Sequence, residues 1–164
     1  MTSQADIIKA QEKREIKFRG VCIDDDSEFF NDYIYGSLLI KINDLTFEKE
    51  YYIFEEHYSD LDNEWLRVDE KSVGEFTGLK DKNGKEIYEG DIVKIGKNEF
   101  LEYLKEKELY VIEFCQGAFC FKEEYPNGLI FNGEDLEIRR NKYLGIEVIG
   151  NIYENPELLE VKHK

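Results

Sequence analysis

The sequence predicts a mainly β protein built as a small, strongly bent barrel with additional strands and one or two short helices. Three observations carry that prediction. Aromatic residues make up 14% of the chain, chiefly Tyr and Phe, and suit half-buried strand faces. The two prolines, Pro126 and Pro156, both fall outside the central segments. Short runs of β-branched and aromatic residues alternate with Gly- and Asn-containing turns. Strand-turn-strand units this short suit a bent barrel better than a flat sheet.

A length of 164 residues predicts one domain over 14–160, preceded by a flexible or helical leader over 1–13. A chain of this size can bury most of its surface without disulfide or metal staples.

The elements follow in order. Arg14 to Val21 alternates charged and apolar residues, the period of a strand, with Gly20 placed to bend it. Asp24, Asp25 and Asp26 begin an acidic loop. Tyr33 to Ile42 is rich in β-branched and aromatic residues and reads as a strand, with Gly36 marking a bulge or close approach. A further strand is expected at Tyr51–Phe54, and a turn-rich link over Asp60 to Glu64 leads into Trp65-Leu66-Arg67-Val68.

The densest information lies between Val73 and Ile95. Glu75-Phe76-Thr77 reads as the end of a short strand, with Gly78 allowing a tight turn. Asn83-Gly84 is a strong hairpin signal, because both residues tolerate positive φ. Glu86-Ile87-Tyr88 is a short extended piece. Glu89-Gly90-Asp91 is a second turn, leading into Ile92–Ile95. Asn98 to Lys107 is the plausible internal helix, capped by Asn98 and carrying Phe100, Leu101 and Leu104 on one face.

Tyr110 to Lys122 reads as a hairpin around Gln116-Gly117. That register puts Ile112, Phe114, Phe119 and Phe121 on one face, and Glu113, Cys115, Ala118, Cys120 and Lys122 on the other. Glu147-Val148-Ile149 and Ile152-Tyr153 form a last strand around Gly150. Asn155-Pro156 then starts a helix, with Asn as cap and Pro at the first position.

Several of these blocks, in this order, resemble the YopX family of small phage and prophage proteins. Thr77-Gly78-Leu79-Lys80-Asp81-Lys82-Asn83-Gly84-Lys85-Glu86-Ile87-Tyr88-Glu89-Gly90-Asp91-Ile92-Val93 is similar to its central signature. Arg14 to Gly20 resembles its opening. Tyr35-Gly36-Ser37-Leu38, Val111 to Phe121, and Ile149 to Pro156 resemble later blocks. The resemblance covers Arg14 to Glu160. It implies an SH3-like barrel core and a phage or prophage accessory role, and it brings no catalytic or binding residues with it.

The residues themselves weigh against most chemistries. Lys and Arg total 22 against 37 acids, for a net charge of -15, which opposes approach to a phosphate backbone. Two short basic clusters, Lys13-Arg14-Lys17-Arg19 and Arg139-Arg140-Lys142, read as solvated surface. Three cysteines form no even disulfide framework, and the expectation is that Cys22, Cys115 and Cys120 are all reduced and metal-free in the cytoplasm of a bacterial host. Cys115 and Cys120 fall diagonally on one hairpin face. No zinc spacing involves them, His57 or His163.

No apolar run approaches membrane-spanning length, and the N-terminal residues lack a signal-peptide core. The Asp24–Asp26 run lacks the glycine and terminal glutamate of an EF-hand loop. Asp81 and Asn83 echo only its first two ligand positions. Phosphate-loop and nucleophile-base signatures are missing.

The expectation is therefore a non-enzymatic protein without cofactor that works through contacts with a host or phage protein. A nucleic-acid-binding barrel is the alternative and a small hydrolase the third reading; homo-oligomerisation stays open. The candidate partner surface is Asp24, Asp25, Asp26, Glu55, Glu56 and Trp65. Asn83, Gly84, Gly90 and Asp91 are assigned to structural turns. Residues 24–70 hold fifteen acids and three bases, a single-sign block suited to cationic partners. Tyr51, Tyr52, Phe54, Trp65 and Tyr88 supply aromatics either for strand packing or for a binding surface.

Overall fold

The computed structural model describes residues 15–54, 65–95, 109–115, 117–122 and 145–159. The expected helix over 98–107 lies outside them, as do Glu55, Glu56, both histidines, Gln116, the leader and the second basic cluster.

The strands form two antiparallel sheets. The first holds β1 (Phe18–Val21), β2 (Tyr33–Ile42), β3 (Lys49–Phe54), β4 (Trp65–Val68), β5 (Gly74–Lys80) and β6 (Glu86–Tyr88), in the order β4-β3-β2-β1-β5-β6. The second holds β7 (Asp91–Lys94), β8 (Leu109–Cys115), β9 (Ala118–Lys122) and β10 (Glu147–Asn151), in the order β10-β7-β8-β9. Short 3₁₀ turns occupy Glu70–Ser72 and Pro156–Leu159.

The mainly β expectation holds, but among the described residues no ladder closes a barrel. Closure would require continuous pairing around a ring. The first sheet comes nearest, where an isolated bridge joins Cys22, just past β1, to Val68 of β4. That curl encloses a small core of Cys22, Ile34, Ile53 and Val68. A larger core of Leu79, Ile87, Val93, Tyr110, Ile112, Phe119, Phe121, Ile146 and Val148 lies where the β5–β6 hairpin meets the second sheet. Nonpolar burial in two separate clusters explains why the chain needs two sheets.

Local chemistry accounts for the departures from expectation. Thr77 and Gly78 do not end a strand; β5 continues through them by a bulge. Phe76 pairs with Tyr88 and Lys80 with Glu86, so three residues on β5 face one on β6. Gly78 sits at φ +84° within that bulge. Thr77 Oγ1 donates to the Ile87 carbonyl at 2.8 Å and accepts from Leu79 N–H at 3.2 Å, satisfying groups the ladder leaves over.

The Asn83-Gly84 turn is present, with Gly84 alone of the pair at positive φ (+87°). Asp81 supplies the rest of the turn. Its Oδ1 accepts from the N–H groups of Asn83 at 2.7 Å and Lys85 at 2.9 Å, an Asx-type turn. Gly90 at φ +81° makes the second turn as expected.

The hairpin register also holds: Ile112 pairs with Phe121, Glu113 with Cys120, and Phe114 with Phe119. The two faces are those expected, and only burial departs from a clean inside-outside split. Phe114 lies exposed, and Cys120 is buried on the opposite face. The last strand ends at Asn151, because the Asn151 side-chain oxygen accepts from the N–H groups of Tyr153 and Glu154 and turns the chain. Pro156 does begin a helical turn, while the Asn155 carboxamide points back to Asn151 N–H.

Candidate functional site

Two places concentrate polar and aromatic side chains. The first is a cleft of about 210 Å³ between the sheets, lined by residues that include Arg19, Tyr33, Lys71, Glu89, Glu113 and Lys122. Arg19 is the most connected of these residues. Sequence pattern assigned Arg19 to a solvated basic cluster; it is instead 5% exposed. Its Nη1 lies 2.6 Å from Asp91 Oδ1, and its Nη2 donates to the Glu89 carbonyl at 3.2 Å. The guanidinium is held between the rings of Tyr33 and Tyr88, at 5.1 and 5.0 Å from their centroids.

Asp91, assigned to a turn, is also a buried ion-pair partner, and its Oδ2 accepts from Tyr88 N–H at 2.8 Å. Burial pushes the Asp91 carboxyl above its ordinary range, while Arg19 and the Tyr88 N–H pull against that shift. Burial pushes the Tyr33 phenol up to about 12, against the pull of Arg19. Tyr88 is raised as well, by burial and then by its hydrogen bond to Glu86. Both phenols are protonated at neutral pH.

The hydroxyl groups lining the cleft are engaged within the fold: Tyr33 Oη donates to Asn151 Oδ1 and Tyr153 Oη to Asp69 Oδ2, each at 3.2 Å. Ser72 Oγ donates to the Asp69 carbonyl and accepts from Val21 N–H, both at 2.7 Å. Lys17, the other described member of the first basic cluster, pairs with Glu86 at 2.8 Å and Glu15 at 3.4 Å. Lys122 pairs with Glu113 at 3.0 Å on the cleft wall. Among the described residues, no three His, Cys, Asp or Glu side chains are grouped to hold a metal ion.

The second place is the outer face and edge of β2, β3 and β4. Strand alternation puts Trp65 and Arg67 on one face of β4. Their cross-strand partners Phe54 and Tyr52 share that face. Phe54 and Trp65 rings lie 5.3 Å apart. Lys41 Nζ sits 4.4 Å above Tyr52, and Tyr52 Oη donates to Glu50 at 3.1 Å.

β4 is the edge strand, and the acidic turn is stitched to it. Asp24 Oδ2 accepts from Arg67 N–H at 2.7 Å, Asp24 Oδ1 lies 3.4 Å from Arg67 Nε, and Ile23 N–H donates to the Arg67 carbonyl. The structure thus brings Asp24 and Trp65 to one edge, with Asp25 and Asp26 exposed beside them. Asn83, Gly84 and Gly90 lie elsewhere, in the turns that bracket β6, and Asp91 is the first residue of β7.

In the sequence Asp81 stood out only as an echo of the first cation-loop ligand position. Its Oδ2 also accepts from Val148 N–H at 3.1 Å, tying the Asn83-Gly84 turn to β10. Burial would raise its carboxyl, but the N–H groups of Val148, Lys85 and Asn83 together hold it below the usual carboxylate range. Neither the Arg19–Asp91 pair nor the Asp81–Val148 tie has a local sequence signal, since each joins residues far apart in the chain.

The cysteine expectation requires correction. Cys115 and Cys120 are bonded to each other, with Cα atoms 6.5 Å apart, while Cys22 is free and buried. The diagonal placement read from the hairpin pattern is what brings the two sulfurs within bonding reach. Among the described residues, no helix is long and apolar enough to cross a membrane.

The described elements define an antiparallel two-sheet protein with a buried arginine-carboxylate pair between its sheets. Residues 17–160 match the family described as YopX protein, and the chain belongs to that family. The crystal structure of protein EF1440 from Enterococcus faecalis is similar at 25% identity over 90% of this chain and 100% of that one, with a TM-score of 0.48. No curated protein matches significantly.

Proposed function

We propose that this YopX-family protein is a non-enzymatic phage or prophage accessory protein that docks a basic protein surface through the β2–β4 face and its acidic edge. The observation that carries the reading is the attachment of Asp24 to Arg67 on the strand that bears Trp65. It puts three consecutive acids and an aromatic stripe at one sheet edge. Aromatic and Arg residues favour interface centres, and a surrounding field of one sign favours association with the opposite sign. Supporting the non-enzymatic part, the Tyr33, Ser72 and Tyr153 hydroxyls that line the cleft each have a partner within the fold. The SH3-like geometry implied by the family belongs to this same reading, as a small β framework presenting one binding face.

Affinity capture from host cells tests it, using the unmodified chain beside an Asp25→Lys/Asp26→Lys/Trp65→Ala variant. The expected result is a basic partner retained by the first and lost by the second, with both folded by circular dichroism. Retention by both, or tight binding of duplex DNA by the unmodified chain at physiological salt, would overturn the reading in favour of another surface or of nucleic acid.

A further inference from the structure

We propose that Cys115 and Cys120 form a reversible redox clasp that sets the rigidity of one wall of the inter-sheet cleft. The register places Cys120 opposite Glu113, and Cys115 opposite Ala118, so the bond runs diagonally across the last rungs of the β8–β9 hairpin. Strand alternation puts both sulfurs on the face of Glu113 and Lys122. Those two residues line the cleft and pair with each other at 3.0 Å. A crosslink there acts on the wall directly.

Exposure separates the three thiols by role. Cys22 is 0% exposed and sealed in the smaller core, so it has no part in exchange. Cys120 is 1% exposed, whereas Cys115 is half-buried and is the sulfur an external thiol reaches. The bond spans a sequence separation of 5. So short a loop constrains the unfolded chain less than a long one would, and its effect in the folded state falls on the hairpin end.

The oxidant is a low-molecular-weight disulfide. The Cys115 thiolate attacks one of its sulfurs and releases one thiol. The Cys120 thiolate then attacks the Cys115 sulfur of the mixed disulfide, forming the protein bond and releasing the second thiol. Two protein thiols are oxidised, one small disulfide is reduced to two thiols, and the two protons leave with them. Excess small thiol runs the steps backwards.

The test is to equilibrate the full chain in glutathione buffers from fully reduced to fully oxidised, quench with acid, alkylate after denaturation, and weigh the products. Amide exchange of Glu113, Cys120 and Lys122 is followed in parallel. The expected result is three alkylated cysteines at the reducing end and Cys22 alone at the oxidising end, with exchange at those amides slowing several-fold on oxidation. In Cys115→Ser, which alters the more exposed sulfur, exchange should not respond to the buffer. Three free thiols at every ratio, a bond that forms without slowing exchange, or a redox response that persists in Cys115→Ser would each overturn the proposal.

Discussion

Arg19 Nη1 sits 2.6 Å from Asp91 Oδ1, and that contact joins β1 of the first sheet to β7 of the second. Both residues are buried, so removing one partner strands a charge in a poorly solvated interior. Arg19→Met should cost about 3–5 kcal/mol in urea unfolding at neutral pH. Adding Asp91→Asn should return part of that loss, because the stranded charge is then gone. Strict additivity of the two substitutions would show that the pair does not couple the sheets.

Asp81 gives the acid limb of the stability profile its clearest single source. Its folded-state carboxyl is held below the unfolded value of about 3.9. The stability it contributes is therefore present above about pH 4 and is lost as pH falls through the lowered folded value. Asp81→Asn replaces an acceptor by an amide that cannot satisfy all three N–H groups, and should cost about 1–3 kcal/mol at pH 7. The gap between wild type and variant should narrow below pH 4. A gap that stays constant down to pH 2 would contradict this assignment.

Gly84 meets no neighbouring atom within 4 Å of a built Cβ, so a larger side chain there has room. Its φ of +87° is the obstacle. Gly84→Val should lower stability by about 1 kcal/mol or more through backbone strain alone. An unchanged melting temperature would mean that the turn relaxes without cost.

Strand positions were legible because they rest on local periodicity. Tyr33–Ile42 matches in full, Tyr51–Phe54 falls within β3, and the β8–β9 register was readable from one Gly-containing turn. What escaped depends on partners distant in sequence. Arg19 looked like surface because nothing beside it announces Asp91. Asp81 read only as an echo of a cation-loop ligand, because its partner Val148 lies 67 residues away. A barrel was expected from short hairpins, but closure depends on how far sheets curl, and here Cys22 and Val68 make an isolated bridge. Of the expected partner surface, Trp65 and the three acids come to one edge; the stitching by Arg67 had no signal in the pattern. The Cys115–Cys120 diagonal was readable, and its bonding was not.

The docking proposal is tested most directly by the fluorescence of Trp65, the single tryptophan of the chain. Emission is titrated with an arginine- and lysine-rich peptide lacking tryptophan, at low and at physiological salt. The expected result is a saturable change whose midpoint rises with salt, as screened charge pairing requires. It should weaken at least tenfold in Asp25→Lys/Asp26→Lys. An emission that never responds to the peptide, or that responds equally in the charge-reversed protein, would contradict the assignment of this edge as the partner surface.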